Sequence, residues 1–411
     1  MRILHMSPAY YPVLGGSEVH IQELSEGLVR RGHDVTVLTT RASVPGGEAA
    51  SEIINGVRVL RFTEASAFRR LLDLPGAYRS LRAVLGLEYL RLLMRGPLSA
   101  RLFGRLLRSN ADVVAVVGWW ATALPLTACI AKRVRGFRLV GIPHFHTEEP
   151  WSQESIHSAL LARCDAIITN TAHEMRFIEG RTAGRVPVYV AGVGIHPSHF
   201  AERDGGRIRS RYGLNKALVV GYAGRLFPGK GVTKLIEAMR IVWSVHDRAR
   251  LLLAGPRTLP GSQADHAVDA ALERLTPAER ARVIEMGRFE EADKASIFDS
   301  FDVFAMPSVA ESFGIAYLEA WMCRKPVIGG RIEATKCVID DGRDGLLADP
   351  HDPADIAAAI VRLLGDSEGR ARMGQAGYEK TISQYTWDRV TDRVESAYLD
   401  VAARGNSRRS P

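Results

Sequence analysis

With 411 residues, 46% of them apolar and 24% charged, the chain is too long for one compact core and too apolar for wholesale disorder; two domains fit best. The net charge of +8 favours anionic partners, whether nucleic acid, acidic lipid or phosphorylated small molecules. Four cysteines (Cys129, Cys164, Cys323 and Cys337) show no C-x-x-C pair and no metal-ligand spacing, which fits a reduced, cytoplasmic chain. No apolar run is long enough to span a bilayer, and no signal peptide is expected.

In chain order, Arg2 to Met6 reads as a short buried strand and Ser7 to Gly16, with two prolines and two glycines, as a loop. From Ser17 the apolar positions Val19, Ile21, Leu24 and Leu28 recur at helical spacing until Gly32, and Asp34 to Thr39 reads as the next strand. Further strands are expected at 113–117, 139–142, 166–169 and 186–190. Such alternation predicts a parallel sheet covered by helices. The rhythm restarts with a strand at 218–223, a loop at 224–231 and a helix at 232–242. Strands follow at 250–254, 283–286, 303–305 and 326–328, and a last helix after Trp387. The expected fold class is α/β: two Rossmann-like, doubly wound domains facing across a cleft. One spans 1–195, the other 196–385, and a final helix at about 386–405 packs back on the first.

Four stretches carry residues suited to chemistry. Pro307 to Ala320 leaves a strand and opens a helix, whose free N–H groups suit a phosphate. Glu311 precedes that helix and Glu319 lies inside it; a capping charge and a solvated helix residue are the bland alternatives. Gly224-Arg225-Leu226-Phe227-Pro228-Gly229-Lys230-Gly231 offers a guanidinium fork and a point charge beside glycines. It lacks the P-loop order and also reads as a basic surface turn. Gly15-Gly16-Ser17-Glu18 opens the first helix and could accept an anion or serve only as a turn. His144 and His146 lie on one side of an extended segment. With no third ligand evident, one histidine projecting into the cleft is a better reading than a metal pair. No D-x-D triplet occurs, so no metal cofactor is expected, and Arg225, Lys230 and a helix start would neutralise a diphosphate.

Residues 68–108 interleave arginines, from Arg69 and Arg70 through Arg79 and Arg82 to Arg101, Arg105 and Arg108, with leucines and other apolar side chains and with only Asp73 and Glu88 as acids. Such helices can lie on an anionic membrane surface, grip an anionic acceptor, or pack on a sheet with their arginines in water.

Taken together, Gly15-Gly16-Ser17-Glu18, the Arg225…Lys230-Gly231 loop, Glu311-Ser312-Phe313-Gly314…Glu319-Ala320, Lys325-Pro326-Val327 and Asp341 to Leu347 resemble glycosyltransferase family four, the retaining GT-B family, over nearly the whole chain. The resemblance implies an enzyme that moves a hexose-type sugar from a UDP- or GDP-sugar to a sugar, glycan or lipid-linked acceptor, with no nucleic-acid partner. Glu311 would contact donor-sugar hydroxyls, Glu319 the ribose, and Arg225 and Lys230 the diphosphate. Gly15, Gly16, Phe313, Gly314 and Ile315 would complete the donor site, with His144 near the transferred sugar. Three features depart from the pattern: Ser312 and Arg324 stand where glycine is usual, and residues 330–337 lack the usual Gly-Gly…Pro-Glu. A non-catalytic sugar-nucleotide-binding subunit and a sugar-nucleotide epimerase are the alternatives.

Overall fold

The computed structural model describes residues 1–13, 15–41, 51–64, 87–118, 120–257 and 262–406. The chain forms two compact units, residues 1–193 with 387–411 and residues 194–386.

The first unit holds an eight-stranded sheet. Its strands are β1 (Arg2–Met6), β2 (Asp34–Thr40), β3 (Ser51–Ile54), β4 (Val57–Phe62), β5 (Val113–Val117), β6 (Arg138–Ile142), β7 (Ala166–Thr169) and β8 (Val188–Val190), in the order β3-β4-β2-β1-β5-β6-β7-β8. All neighbours are parallel except β3 and β4, an antiparallel pair at the sheet edge. β5, Val-Val-Ala-Val-Val, is buried at every position, as a strand covered on both faces must be. The helix Gly16–Arg30 turns Ile21, Leu24 and Leu28 inward. The chain's last helix, Trp387–Asn406, lies against that helix and against β5, β6 and β7. Polar contacts hold it there: Arg31 reaches Asp392 at 2.6 Å, and His33 Nε2 reaches Glu395 at 2.6 Å. His5, inside β1, is fully buried between Ser25 Oγ at 2.8 Å and Tyr398 Oη at 3.0 Å. Burial pushes its pKa down to about 3, so the ring is neutral.

The second unit holds six parallel strands: β9 (Leu218–Ala223), β10 (Ala249–Ala254), β11 (Val283–Gly287), β12 (Val303–Met306), β13 (Val327–Gly330) and β14 (Gly345–Ala348). Their order is β11-β10-β9-β12-β13-β14, so successive strands wind one way from β9 and then the other from β12. Loops leaving two neighbouring strands diverge at that reversal, which opens a crevice at the strands' carboxyl ends. Gly224 to Gly231 follows β9, and Pro307 to Gly314 follows β12. The topology therefore sets the two charged loops side by side.

Among the described residues no helix is long and apolar enough to cross a membrane. Of the basic stretch 68–108, positions 68–86, including Arg69, Arg70, Arg79 and Arg82, lie outside the described residues. The rest forms the helices Leu87–Arg95 and Ala100–Leu107. Leu92, Leu102 and Leu106 sit in the core of the first unit with Leu4, Val114 and Trp120, because their helices cover the sheet.

Candidate active site

In the second unit the two loops are fastened together. Val309 N–H donates to the Gly229 carbonyl at 3.0 Å, and Lys230 Nζ donates to Glu311 Oε1 at 2.7 Å. Glu311 is 4% exposed, and Ser308 Oγ donates to the same Oε1 at 3.0 Å. Oε2 takes no hydrogen bond, so a buried carboxylate keeps one oxygen open. Gly231 makes the closeness possible: its φ is +79°, and a Cβ there would overlap the Pro307 carbonyl. Gly314, at φ +92°, turns the chain into the helix Ile315–Met322, whose first N–H groups have no intrahelical acceptor. Tyr317 Oη, fully buried, ties that helix back to the Met306 carbonyl of β12 at 2.8 Å.

Arg225 is exposed, and its guanidinium makes no hydrogen bond or ion pair; the loop beneath is held by Tyr222 Oη donating to the Arg225 carbonyl at 2.7 Å. Glu319 lies in the helix, where Lys294 Nζ pairs with its Oε1 at 3.0 Å. The alternative of a solvated helix residue is thereby corrected, since Glu319 is a paired, half-buried carboxylate. Phe313 precedes the turn at Gly314. Its ring is 2% exposed and packs edge-on against Tyr385, centroids 5.3 Å apart, so only its backbone is open to a ligand. Within 331–336, Ala334 and Thr335 are buried, Arg331 reaches the Leu347 carbonyl at 2.7 Å, and Glu333 pairs with Lys336 at 2.6 Å. Arg324 has a φ of +53°, a conformation glycine would adopt freely, and its guanidinium lies over the Tyr378 ring.

In the first unit Gly15 caps the helix Gly16–Arg30 in extended conformation, and Gly16 faces open space. Ser17 Oγ lies 3.3 Å from His144 Nδ1, so the first loop and the loop after β6 meet. His144 is buried, its Nε2 has no partner, and its ring lies 4.5 Å from that of His20. Burial first, then His20 and His146, hold its pKa well below the usual histidine value, so it is a neutral hydrogen-bonding group. Glu174 sets the loop: its two oxygens accept Phe145 N–H at 2.7 Å and Asn170 N–H at 2.8 Å. Burial pushes Glu174 up to about 7 against those two bonds. Among the described residues no three His, Cys, Asp or Glu side chains gather as metal ligands.

Sequence reasoning missed Ser308, Lys294, His20 and Glu174. Only Glu174 left a signal, as the fourth residue of Thr171-x-x-Glu174 at a helix start, where Thr171 caps Glu174 N–H at 3.1 Å.

Residues 206–380 match the family model for glycosyl transferases group 1, and residues 15–194 match that for the glycosyl transferase 4-like domain. A D-inositol 3-phosphate glycosyltransferase of Corynebacterium diphtheriae is 27% identical over 422 residues, covering 97% of this chain and 93% of that protein. The protein of that name in Stackebrandtia nassauensis is 29% identical over 296 residues, 66% of each. Among solved structures, Anabaena HepE in complex with UDP and glucose superposes with a TM-score of 0.72 at 18% identity, covering 97% of this chain and 100% of that one. Sucrose-phosphate synthase from Thermosynechococcus elongatus gives 0.75 at 18% identity, covering 98% and 100%. The two solved structures speak for the fold, and the two family models account for most of each unit. The chain belongs to the GT-B glycosyltransferases of family four, enzymes that act on a nucleotide sugar.

Proposed function

We propose that the enzyme moves a hexose-type sugar from a UDP- or GDP-sugar to a hydroxyl of a glycan or lipid precursor, with retention at the anomeric carbon. The observation that carries this reading is the Lys230–Glu311 pair at the reversal of strand order, with Oε2 of Glu311 open and Arg225 unpaired beside it. Arg225 and Lys230 take the diphosphate and neutralise the charge that grows on it as the glycosidic bond breaks. Glu311 accepts from donor-sugar hydroxyls, and Glu319 from the ribose through the oxygen that Lys294 leaves free. Gly314 and Ile315 present backbone N–H groups at the helix start, as do Gly15 and Gly16 in the first unit. His144 offers a neutral ring nitrogen to the sugar. No side chain is assigned as nucleophile: the departing diphosphate guides the acceptor to the same face, and the protein positions the reactants. HepE, solved with UDP and glucose and with UDP-glucose, supports the uridine donor.

We also propose peripheral contact with an anionic membrane through 68–108. Within 87–107 this reading rests on arginines, because Leu92, Leu102 and Leu106 are committed to the core. A donor screen by ligand-induced thermal shift, followed by a transfer assay that reports the anomeric configuration, tests the main reading. A melting point raised by one nucleotide sugar and not by the free sugar is expected. Indifference to every UDP- and GDP-sugar, or an inverted product, overturns it.

A further inference from the structure

A cavity of about 580 Å³ in the first unit is lined by Arg41, Arg58, Arg61, Arg101 and Arg105. Among the described residues no carboxylate lines it. The sequence converges these residues from three elements. Arg41 directly follows β2, with its N–H on the Phe62 carbonyl at 3.1 Å. Arg58 and Arg61 stand on β4. Arg101 and Arg105 are one turn apart on the helix Ala100–Leu107, whose opposite face carries Leu102 and Leu106 into the core.

One of the five is tied into the fold: Arg61 Nε donates to Glu52 at 2.7 Å and its Nη2 to the Tyr11 carbonyl at 2.5 Å. Nε of Arg41 is buried with no partner. Arg58, Arg101 and Arg105 are exposed, and their guanidinium groups make no hydrogen bond or ion pair among the described residues. Guanidinium groups keep their charge at any working pH, so gathering four more around one hollow beside the Arg61–Glu52 pair is unfavourable until an anion fills it. A phosphate presents the oxygen pairs that a guanidinium fork matches, and the volume falls within the range of small-molecule sites, with room for the group that carries the phosphate.

We propose that this cavity binds a phosphomonoester, the phosphate of a phosphorylated acceptor. As an acceptor subsite it rests on the sugar-transfer reading; as an anion site it does not. Arg61 links the cavity to Tyr11, in the loop that leads to Gly15 and Gly16, so an anion held here is anchored to the same loop that opens the first helix.

The test is titration calorimetry of the full chain with glycerol 3-phosphate and with glycerol, beside co-sedimentation with phosphatidylcholine vesicles with and without phosphatidic acid. The variants are Arg101→Ser with Arg105→Ser, and separately Arg58→Ser; none breaks a contact, and circular dichroism confirms the fold. Saturable, salt-sensitive binding of glycerol 3-phosphate and not glycerol is expected, weakened at least about tenfold in the double variant. UDP binding is measured on each protein, and should be equal. Binding only to phosphatidic acid vesicles, lost in the variants, supports the site and identifies a lipid headgroup as its source. Unchanged affinity in both variants, or no binding to either phosphate probe, overturns the proposal and leaves the arginines as solvated edge charges. Loss of UDP binding in every protein counts against the transferase reading alone.

Discussion

Replacing Lys230 with Ala separates what the Lys230–Glu311 pair does for the fold from what it does for substrate. Glu311 is 4% exposed, while the Lys230 side chain is 30% exposed. Removing one partner of a fully buried pair costs about 3–5 kcal/mol; water reaching the lysine end reduces this to about 2 kcal/mol. Glu311→Gln should cost only about 1 kcal/mol, because the amide oxygen still accepts from Ser308 and the freed ammonium can hydrate. In the double variant the pair is gone from both sides, so the two losses should not add, with a coupling of about 1 kcal/mol. Urea unfolding followed by tryptophan fluorescence suits the measurement, since Trp321 is buried in the helix Ile315–Met322. Lys230→Ala should lower the melting point by about 6 °C for a unit of this size. Below that temperature, both single variants should still lose about a hundredfold in transfer rate with donor saturating. Additive stability losses, or a Lys230→Ala variant as stable as the parent, would refute the pairing. Full stability with unimpaired transfer would refute the site.

Gly231→Ala should destabilise the second unit by more than about 2 kcal/mol and abolish donor binding, since φ is +79° and the new methyl overlaps the Pro307 carbonyl; thermal melts with and without donor check both effects. Acid should loosen the first unit. Burial lowers His5 to about 3 and His20 to about 4, so below the unfolded value near 6.5 the unfolded chain binds these protons more readily and stability falls with pH. From about pH 7.5 to about pH 5 the two histidines remove about 4 kcal/mol. Glu174, raised to about 7, acts with the opposite sign and returns about 2 kcal/mol, while His144, held well below the usual histidine value, adds to the loss, so a net loss of at least about 2 kcal/mol should appear in urea midpoints; a midpoint that rises on acidification contradicts the assignment. Because Arg225 and Lys230 stand where a diphosphate would be neutralised and no D-x-D triplet occurs, a single turnover should survive excess chelator. Its complete loss, restored by a divalent metal, would exclude that arrangement.

Strands buried on both faces were legible in the sequence: β1, β5, β7 and β9 have the bounds that their apolar runs suggest. The hairpin β3–β4 was passed over because Glu52, Arg58 and Arg61 break its apolar character, as suits an edge. Yet Asn55-Gly56, both at positive φ, was the turn signal between two alternating runs. β14 is only four residues long and was read as part of a motif. At the site, each loop announced itself through its glycines and charges. What the sequence could not disclose was partnership: Lys230 and Glu311 are 81 residues apart, and their contact exists only because β9 and β12 are neighbours. Lys294 on Glu319 was invisible for the same reason, and a motif does not say which of its side chains, such as the ring of Phe313, point into the core.

The first unit is built from both ends of the described chain, while the second is a single continuous stretch whose ends meet where Ile195 N–H donates to the Tyr385 carbonyl at 2.8 Å. On the ribosome the first unit is therefore begun first and finished last. Its sheet must wait, with His5 lacking Tyr398 and Arg31 lacking Asp392, until the whole second unit has been synthesised. A chain cut after residue 386 would release a second unit with all its strands and a first unit missing a wall. A nascent chain in that state exposes the surface meant for Trp387–Asn406, and there a chaperone or a protease would find it.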